Sequence, residues 1–272
     1  MNIFIISIFP EIFQSFLQTS LIKKAIEKKI LKFNFVNPRD FCKDKNKQVD
    51  DQIYGGGTGM LIKAKPIIDA IENVIKSINS KFPALLKQAS LSSFPIPNSK
   101  FPALLKQASL SSFPIPNSKF PVHSAHFQIL FPSPSKTFFT QKFAHKFSKN
   151  QNLIFICGRY EGIDYRFEEY VKNKYPKNFQ KISIGQFITL GGELPTMTMI
   201  ESITRLIPGV IKESQSRKDE SYSIDQKMKN LEYPQYTRPE EVCGYKVPET
   251  LLNGHHKKIQ DRKNKNGKKI ER

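Results

Sequence analysis

Two short apolar runs in this chain each end in a glycine-rich turn, and this pairing constrains the fold more than any other feature. Residues 153–156 (LIFI) lead directly into CGRYEGID at 157–164, and residues 182–184 (ISI) lead into GQFITLGGELP at 185–195. β-Branched and aromatic residues in runs this short favour strands. A glycine placed directly after a strand lets backbone N–H and C=O groups approach a flat ligand, because no Cβ stands in the way. Two such strand ends close in sequence predict one small-molecule site built mostly from backbone. Plain turn glycines would explain one loop more readily than two.

The surrounding chain alternates between strand and helix periods. Residues 3–9 read as a buried strand, and residues 10–17 as a helix with Pro10 in its first turn. Helical spacing continues over 21–28, and 31–36 form a second strand. Further along, 65–78 and 164–171 read as helices, regular structure resumes at 126–131, 181–184 read as a strand, and 193–207 as a helix closed by Pro208 and Gly209. This alternation predicts an α/β fold with a mainly parallel sheet. The apolar start has no basic region before it and is cut off by Pro10 and Glu11, which argues against a signal peptide. No apolar run reaches the roughly 18–20 residues that span a bilayer, so no membrane is expected.

One segment breaks the pattern. SKFPALLKQASLSSFPIPN at 80–98 is repeated without change at 99–117, and a third copy begins at 118. Identical copies with several prolines each read as a duplication within a tolerant surface loop, an insertion over about 79–121, in which proline is expected to prevent a continuous helix or strand. Beyond the helix at 193–207 the chain is polar with little apolar periodicity. The expected division is a domain at 1–211, a linker at 212–233 and a small C-terminal module at 234–272.

The net charge of +19 favours a polyanionic partner, most simply nucleic acid. The three cysteines, Cys42, Cys157 and Cys243, are far apart and make neither a disulfide framework nor a zinc pattern, which fits a reducing cytoplasm. His255 and His256 are adjacent and cannot share a helical face, so no metal site is read there. The loop YGGGTGM at 54–60 lacks the Gly-Lys-Ser/Thr ending of a phosphate loop and is no nucleotide-binding signature.

The ordered set of short blocks resembles the bacterial tRNA (guanine-N1)-methyltransferases, the TrmD type of the SPOUT class. The matching stretches are IISIFPE at 5–11, PRDF at 38–41, VDD at 49–51 and YGGG at 54–57 with Gly59 and Met60. They continue with CGRYEGID at 157–164, SIGQFITLGGELP at 183–195, Arg205, IPG at 207–209, YTRP at 236–239, Val247 with Pro248, and LLNGHH at 251–256. The resemblance implies a parallel-sheet domain with a deep trefoil knot and a small helical C-terminal domain that binds tRNA. It also implies a homodimer with a shared active site. The reaction it implies is S-adenosylmethionine-dependent methylation of guanine N1 at tRNA position 37, just 3′ of the anticodon, with magnesium as a further candidate cofactor. The rival from another class is a basic RNA-binding protein that keeps an inactive cofactor site.

Methyl transfer from a sulfonium depends chiefly on positioning. Guanine N1 carries a proton at neutral pH, so a base must remove it while charge develops toward O6; a carboxylate and a nearby cation are the groups to seek. The family's base precedes a Ser-aromatic pair in the linker. The matching text is DESY at 219–222, whose register puts Glu220 where the family carries aspartate. Whether Glu220 or Asp219 reaches N1 stays open, and as bare sequence both read as solvated charges. Arg205 matches the family's charge-stabilising arginine; its plainer reading is a helix C-terminal cation. The resemblance assigns the cofactor to Gly158, Gly191 and Gly192, to Ile184, Gly185, Gln186, Phe187, Ile188 and Thr189, and to Pro132, Ser133 and Pro134 over the adenine. Glu161 is read evenly as a contact to the cofactor amine or as a loop-ordering carboxylate. Gln186 stands where an acidic residue is frequent, and Lys136 where a glycine is usual.

Overall fold

The computed structural model describes residues 1–92, 127–211, 220–223 and 231–267. Its contacts divide into two compact units. The first comprises Met1–Gln18, Leu31–Phe138 and Asn150–Met197; the second comprises Thr19–Ile30, Phe139–Lys149 and Thr198–Arg272.

The first unit is organised by a five-stranded parallel sheet in the order β2-β1-β6-β5-β7, formed by β1 (Asn2–Ile6), β2 (Lys32–Val36), β5 (Phe127–Pro132), β6 (Asn152–Ile156) and β7 (Phe179–Ile182). The expected α/β class with a parallel sheet is therefore observed. β6 is central: Asn2 to Ile6 register against Asn152 to Ile156 on one side, and Phe127 to Leu130 register against Asn152 to Phe155 on the other. Ile3, Ile5, Ile129, Leu153, Ile154 and Phe155 are all fully buried. Parallel strands covered on both faces read as continuous apolar runs, and these do. A small antiparallel pair, β3 (Asp50–Gln52) and β4 (Met60–Ile62), stands outside the sheet.

Helix α3 (Ala64–Ser92) buries Ile67, Ala70, Ile71, Val74, Ile75 and Ile78, a stripe at helical spacing that joins the core over the sheet. Helix α5 (Arg166–Lys174) adds Phe167 and Val171. The Phe167 ring meets Phe131 edge to face at 5.0 Å.

Several boundaries differ from the sequence expectation. β1 ends at Ile6 rather than running to residue 9, because Ser7 turns the chain: its Oγ accepts from Phe9 N at 3.0 Å. Residues 10–17 are not one helix but a 3₁₀ turn, Pro10–Phe13, followed by α1 (Gln14–Leu17). β7 ends at Ile182, before Ser183 bonds around the following turn. Proline does not interrupt the start of the repeat: α3 continues through Pro83 to Ser92. A helix interior proline removes one hydrogen bond, while the buried stripe before it anchors the preceding turns.

The second unit holds α2 (Ser20–Glu27), α4 (Gln141–Ser148), the hairpin of β8 (Glu241–Val242) and β9 (Tyr245–Lys246), α7 (Glu249–Leu252) and α8 (His256–Asn266). Helix α6 (Glu193–Thr204) begins in the first unit and ends in the second. It stops short of residue 207 because its last turn tightens, with Leu206 N bonding Ile203 O and Ile207 N bonding Thr204 O. Among the described residues, no helix is long and apolar enough to cross a membrane.

Candidate active site

The two glycine turns at the ends of β6 and β7 meet in the first unit. Gly192 N donates to Gly158 O at 2.8 Å, and Arg159 and Gly191 form an isolated antiparallel bridge. The contact tolerates no side chain: a Cβ on Gly192 would lie 2.9 Å from Cys157 Cα and 3.0 Å from Gly158 N, both backbone atoms that cannot swing away. Glycine is therefore a packing requirement at this position. Glu161 N in turn bonds Met60 O at 3.1 Å, tying the YGGGTGM loop to the same turn.

Between the turns opens a pocket of about 410 Å³, within the usual size range of small-molecule sites. One wall is Gly158 and Glu161, a second is Ile184 with Phe187, Ile188 and Thr189, and a third is Gly191 and Gly192. Pro132, Ser133 and Pro134 join the lining at the end of β5, where Ser133 N bonds Ile182 O at 3.0 Å, and Phe131 and Arg159 line it as well. Gly185 and Gln186 lie outside it, in an adjoining groove with Lys136 and Phe138. The loop between β7 and α6 is held by local bonds: Ser183 Oγ donates to Gly185 O at 2.6 Å, and Thr189 Oγ1 to Gly191 O at 2.9 Å.

Beneath the pocket lies a polar cluster that sequence reasoning missed. Glu193, which reads in the sequence only as a helix-opening residue, is fully buried and accepts from Ser7 Oγ at 2.7 Å. Its other oxygen, Oε2, lies 2.9 Å from Arg159 Nε. That distance makes an ion pair, yet the N–H is not aligned for a hydrogen bond, and among the described residues neither atom has another hydrogen-bond partner. The Arg159 guanidinium also stacks over the Phe9 ring at 5.0 Å. Cys157 is buried next to this cluster, 3.4 Å from Thr196 Oγ1. Burial, reinforced by the Glu193 charge, pushes its thiol well above the ordinary range.

A second cluster supports the pocket from α5. Glu168 is buried and receives Lys181 Nζ at 2.7 Å and Lys172 Nζ at 2.9 Å. Burial alone would raise its carboxyl; the two lysines outweigh burial and hold it below the usual value. Lys181 also lies 5.5 Å from the centroid of the Phe131 ring, which lines the pocket.

The chain matches the family described as tRNA (Guanine-1)-methyltransferase TrmD over residues 1–92 and 110–272. It belongs to that family. The matched ranges leave out residues 93–109, which fall inside the tandem repeat. Among curated relatives, the tRNA (guanine-N(1)-)-methyltransferase of Clostridium botulinum (strain Kyoto / Type A2) is 39% identical over 96% of this chain and 84% of its own length. The enzyme of the same name from Carboxydothermus hydrogenoformans is 38% identical over 95% and 79%, and that from Endomicrobium trichonymphae is 37% identical over 96% and 91%. The chain is accordingly a TrmD-family enzyme whose activity is tRNA guanine-N1 methylation.

Two of the residues that the TrmD resemblance singled out for chemistry lie in the second unit and face each other. Arg205 follows the end of α6, and Glu220 sits in a bend. Arg205 Nη1 donates to Glu220 Oε1 at 3.1 Å and Nη2 to Oε2 at 2.5 Å, a bidentate pair. The Glu220 side chain is 15% exposed and that of Arg205 37%. Asp219 lies outside the described residues.

Proposed function

We propose that this protein is a cytoplasmic, homodimeric enzyme that uses S-adenosylmethionine to methylate guanine N1 at position 37 of tRNA, with an active site shared between protomers. The observation that carries the cofactor assignment is the pocket walled by the backbone of two glycine turns, in which Gly192 is packed too closely for any side chain. Such a wall suits a flat adenine with polar edges. In this reading Gly158, Gly191 and Gly192 supply backbone contacts, the segment from Ile184 to Thr189 covers the nucleoside, and Pro132, Ser133 and Pro134 close over the base. Gly185 and Gln186 belong to that covering segment and act by shaping it. Once bound, the cofactor supplies an electrophilic methyl group on a sulfonium.

The protein's own part in the chemistry is a proton and a charge. The edge of guanine presents an N1–H donor beside an O6 acceptor. The Glu220 carboxylate and Arg205 guanidinium offer the matching acceptor and donor, now satisfied by one another. Guanine exchanges that pair for two contacts of its own: Glu220 takes the N1 proton, and Arg205 offsets the charge developing on O6. Adenine presents an acceptor at N1 and donors at N6, so it mismatches both groups. Asp219 is the competing base.

A trefoil knot through the glycine turns belongs to the same proposal, which rests on membership of the TrmD family. Dimerisation is supported by apolar side chains left in water beside the pocket: Leu190 is 90% exposed, Ile188 80% and Leu194 62%. The small C-terminal module is proposed to touch tRNA, and the net charge of +19 suits that partner. Magnesium would need only one or two protein carboxylates, and Glu161 is the carboxylate in the pocket wall among the described residues.

The test is methylation of transcribed tRNA carrying guanine or adenine at position 37, by the wild type, Glu220→Ala and Asp219→Ala, with and without EDTA. Undiminished activity of Glu220→Ala overturns the base assignment. Methylation of the adenine-37 transcript overturns the target position. Binding of tRNA and cofactor without methyl incorporation supports the inactive RNA-binding alternative.

A further inference from the structure

The pocket wall contains two charged side chains among the described residues, Arg159 and Glu161. Glu161 is exposed at the rim of its turn. Arg159 is held: its guanidinium stacks on Phe9, its Nε faces the buried Glu193, and its side chain is only 19% exposed. Among the described residues its terminal nitrogens meet no acceptor. The space that lets Arg159 and Glu193 meet exists because residue 191 is glycine; a Cβ there would fall 2.4 Å from Arg159 Nε and 2.6 Å from Glu193 Oε2.

A carboxylate only 1% exposed needs polar partners. Ser7 and Arg159 are those partners, and Ser7 at the end of β1 fixes the carboxylate independently of the pocket. Glu193 therefore orients the arginine, not the reverse. Its closest approach is to Nε, and among the described residues the Nη edge of the guanidinium makes no hydrogen bond. The bound molecule that would need a cation at this wall, with the Glu161 carboxylate in the same turn, is the zwitterionic amino-acid end of the methyl donor.

We propose that Arg159 binds the α-carboxylate of the donor and that Glu193 is a positioning residue that sets Arg159 for this contact. This rests on the S-adenosylmethionine reading above. The interaction is recognition alone; no bond is made or broken by either side chain.

The test compares two probes in calorimetric titrations of the full chain. S-adenosylhomocysteine keeps the amino-acid end, and 5′-methylthioadenosine lacks it. Arg159→Gln is expected to weaken S-adenosylhomocysteine about 10- to 100-fold, as loss of a charge-assisted contact does, while methylthioadenosine stays within about twofold. Glu193→Gln is expected to shift the same ratio by a smaller factor, and to shift it no further in the Arg159→Gln background. Parallel weakening of both probes means that the cluster is merely structural and overturns the proposal. So does an unchanged probe ratio accompanied by a raised KM for tRNA, which would put a phosphate on Arg159. If Glu193→Gln does not fold, the Arg159→Gln ratio decides the contact, and Ser7→Ala, which frees the carboxylate from its anchor, decides the positioning by the same ratio. Failure of the wild type to bind either probe refutes the cofactor reading itself, a result distinct from an altered ratio.

Discussion

The glycine pocket and the Arg205–Glu220 pair are built on opposite plans. The pocket is mostly main chain, fixed by bonds such as Gly192 N to Gly158 O and by the absence of side chains where backbones touch. The pair is two side-chain head groups meeting across a stretch of chain that includes residues outside the described set. A backbone site is injured by adding atoms and barely notices a change of functional group nearby. A side-chain site is injured by removing atoms and tolerates change in the backbone that carries it. The two regions should therefore fail differently when mutated.

The largest effect is expected from removing atoms at the pair. Glu220→Ala should lower kcat for tRNA methylation by about 10²- to 10⁴-fold, the usual worth of a general base, with S-adenosylhomocysteine affinity unchanged in titration. A matching loss of that affinity would break the contrast between the regions. Next comes adding atoms at the pocket. Gly192→Ala forces a Cβ onto main chain and should cost about 1–3 kcal/mol. It should appear as about a 10-fold or greater loss of S-adenosylhomocysteine affinity together with a lower Tm. A wild-type Tm and affinity in that variant would show that the two turns can separate freely.

A smaller effect is expected behind the pocket wall, at Glu168. Its carboxyl is held below the usual value by Lys181 and Lys172 after burial is overcome. The stability it adds is fully present above the ordinary glutamate range and fades as pH falls through the lowered folded value. Both lysines are partly exposed, so solvent screening keeps the contribution near 1 kcal/mol or less. Thermal melts between pH 6 and pH 3 should show the wild type losing more Tm on acidification than Glu168→Gln. Parallel curves would remove Glu168 from the account.

The glycine turns were legible in the sequence because glycine after an apolar run has few purposes other than close approach. The parallel sheet was legible because strand and helix periods alternate along the chain. Glu193 and Arg159 were not legible as a pair: nothing in their spacing joins them, and the loop closure that does so also depends on Ser7, just past the matching end of neighbouring β1. Helix α4 escaped notice for a different reason. Its buried residues, Ala144 and Phe147, are too few to print a clear period among lysines and polar residues. The continuation of α3 through Pro83 ran against a local rule that long-range packing overrode.

The raised thiol of Cys157 has a consequence for coexistence with a reactive ligand. A methyl donor is an alkylating agent, and a thiolate is the best nucleophile a protein can place beside one. Cys157 directly precedes pocket residue Gly158, yet burial and the Glu193 charge keep its sulfur protonated and therefore a poor nucleophile. Iodoacetamide at mildly alkaline pH should accordingly label exposed Cys243 and half-buried Cys42 well before Cys157, as read by peptide mass spectrometry. Burial, with the Glu193 charge beside it, thus sets Cys157 apart from the other two cysteines.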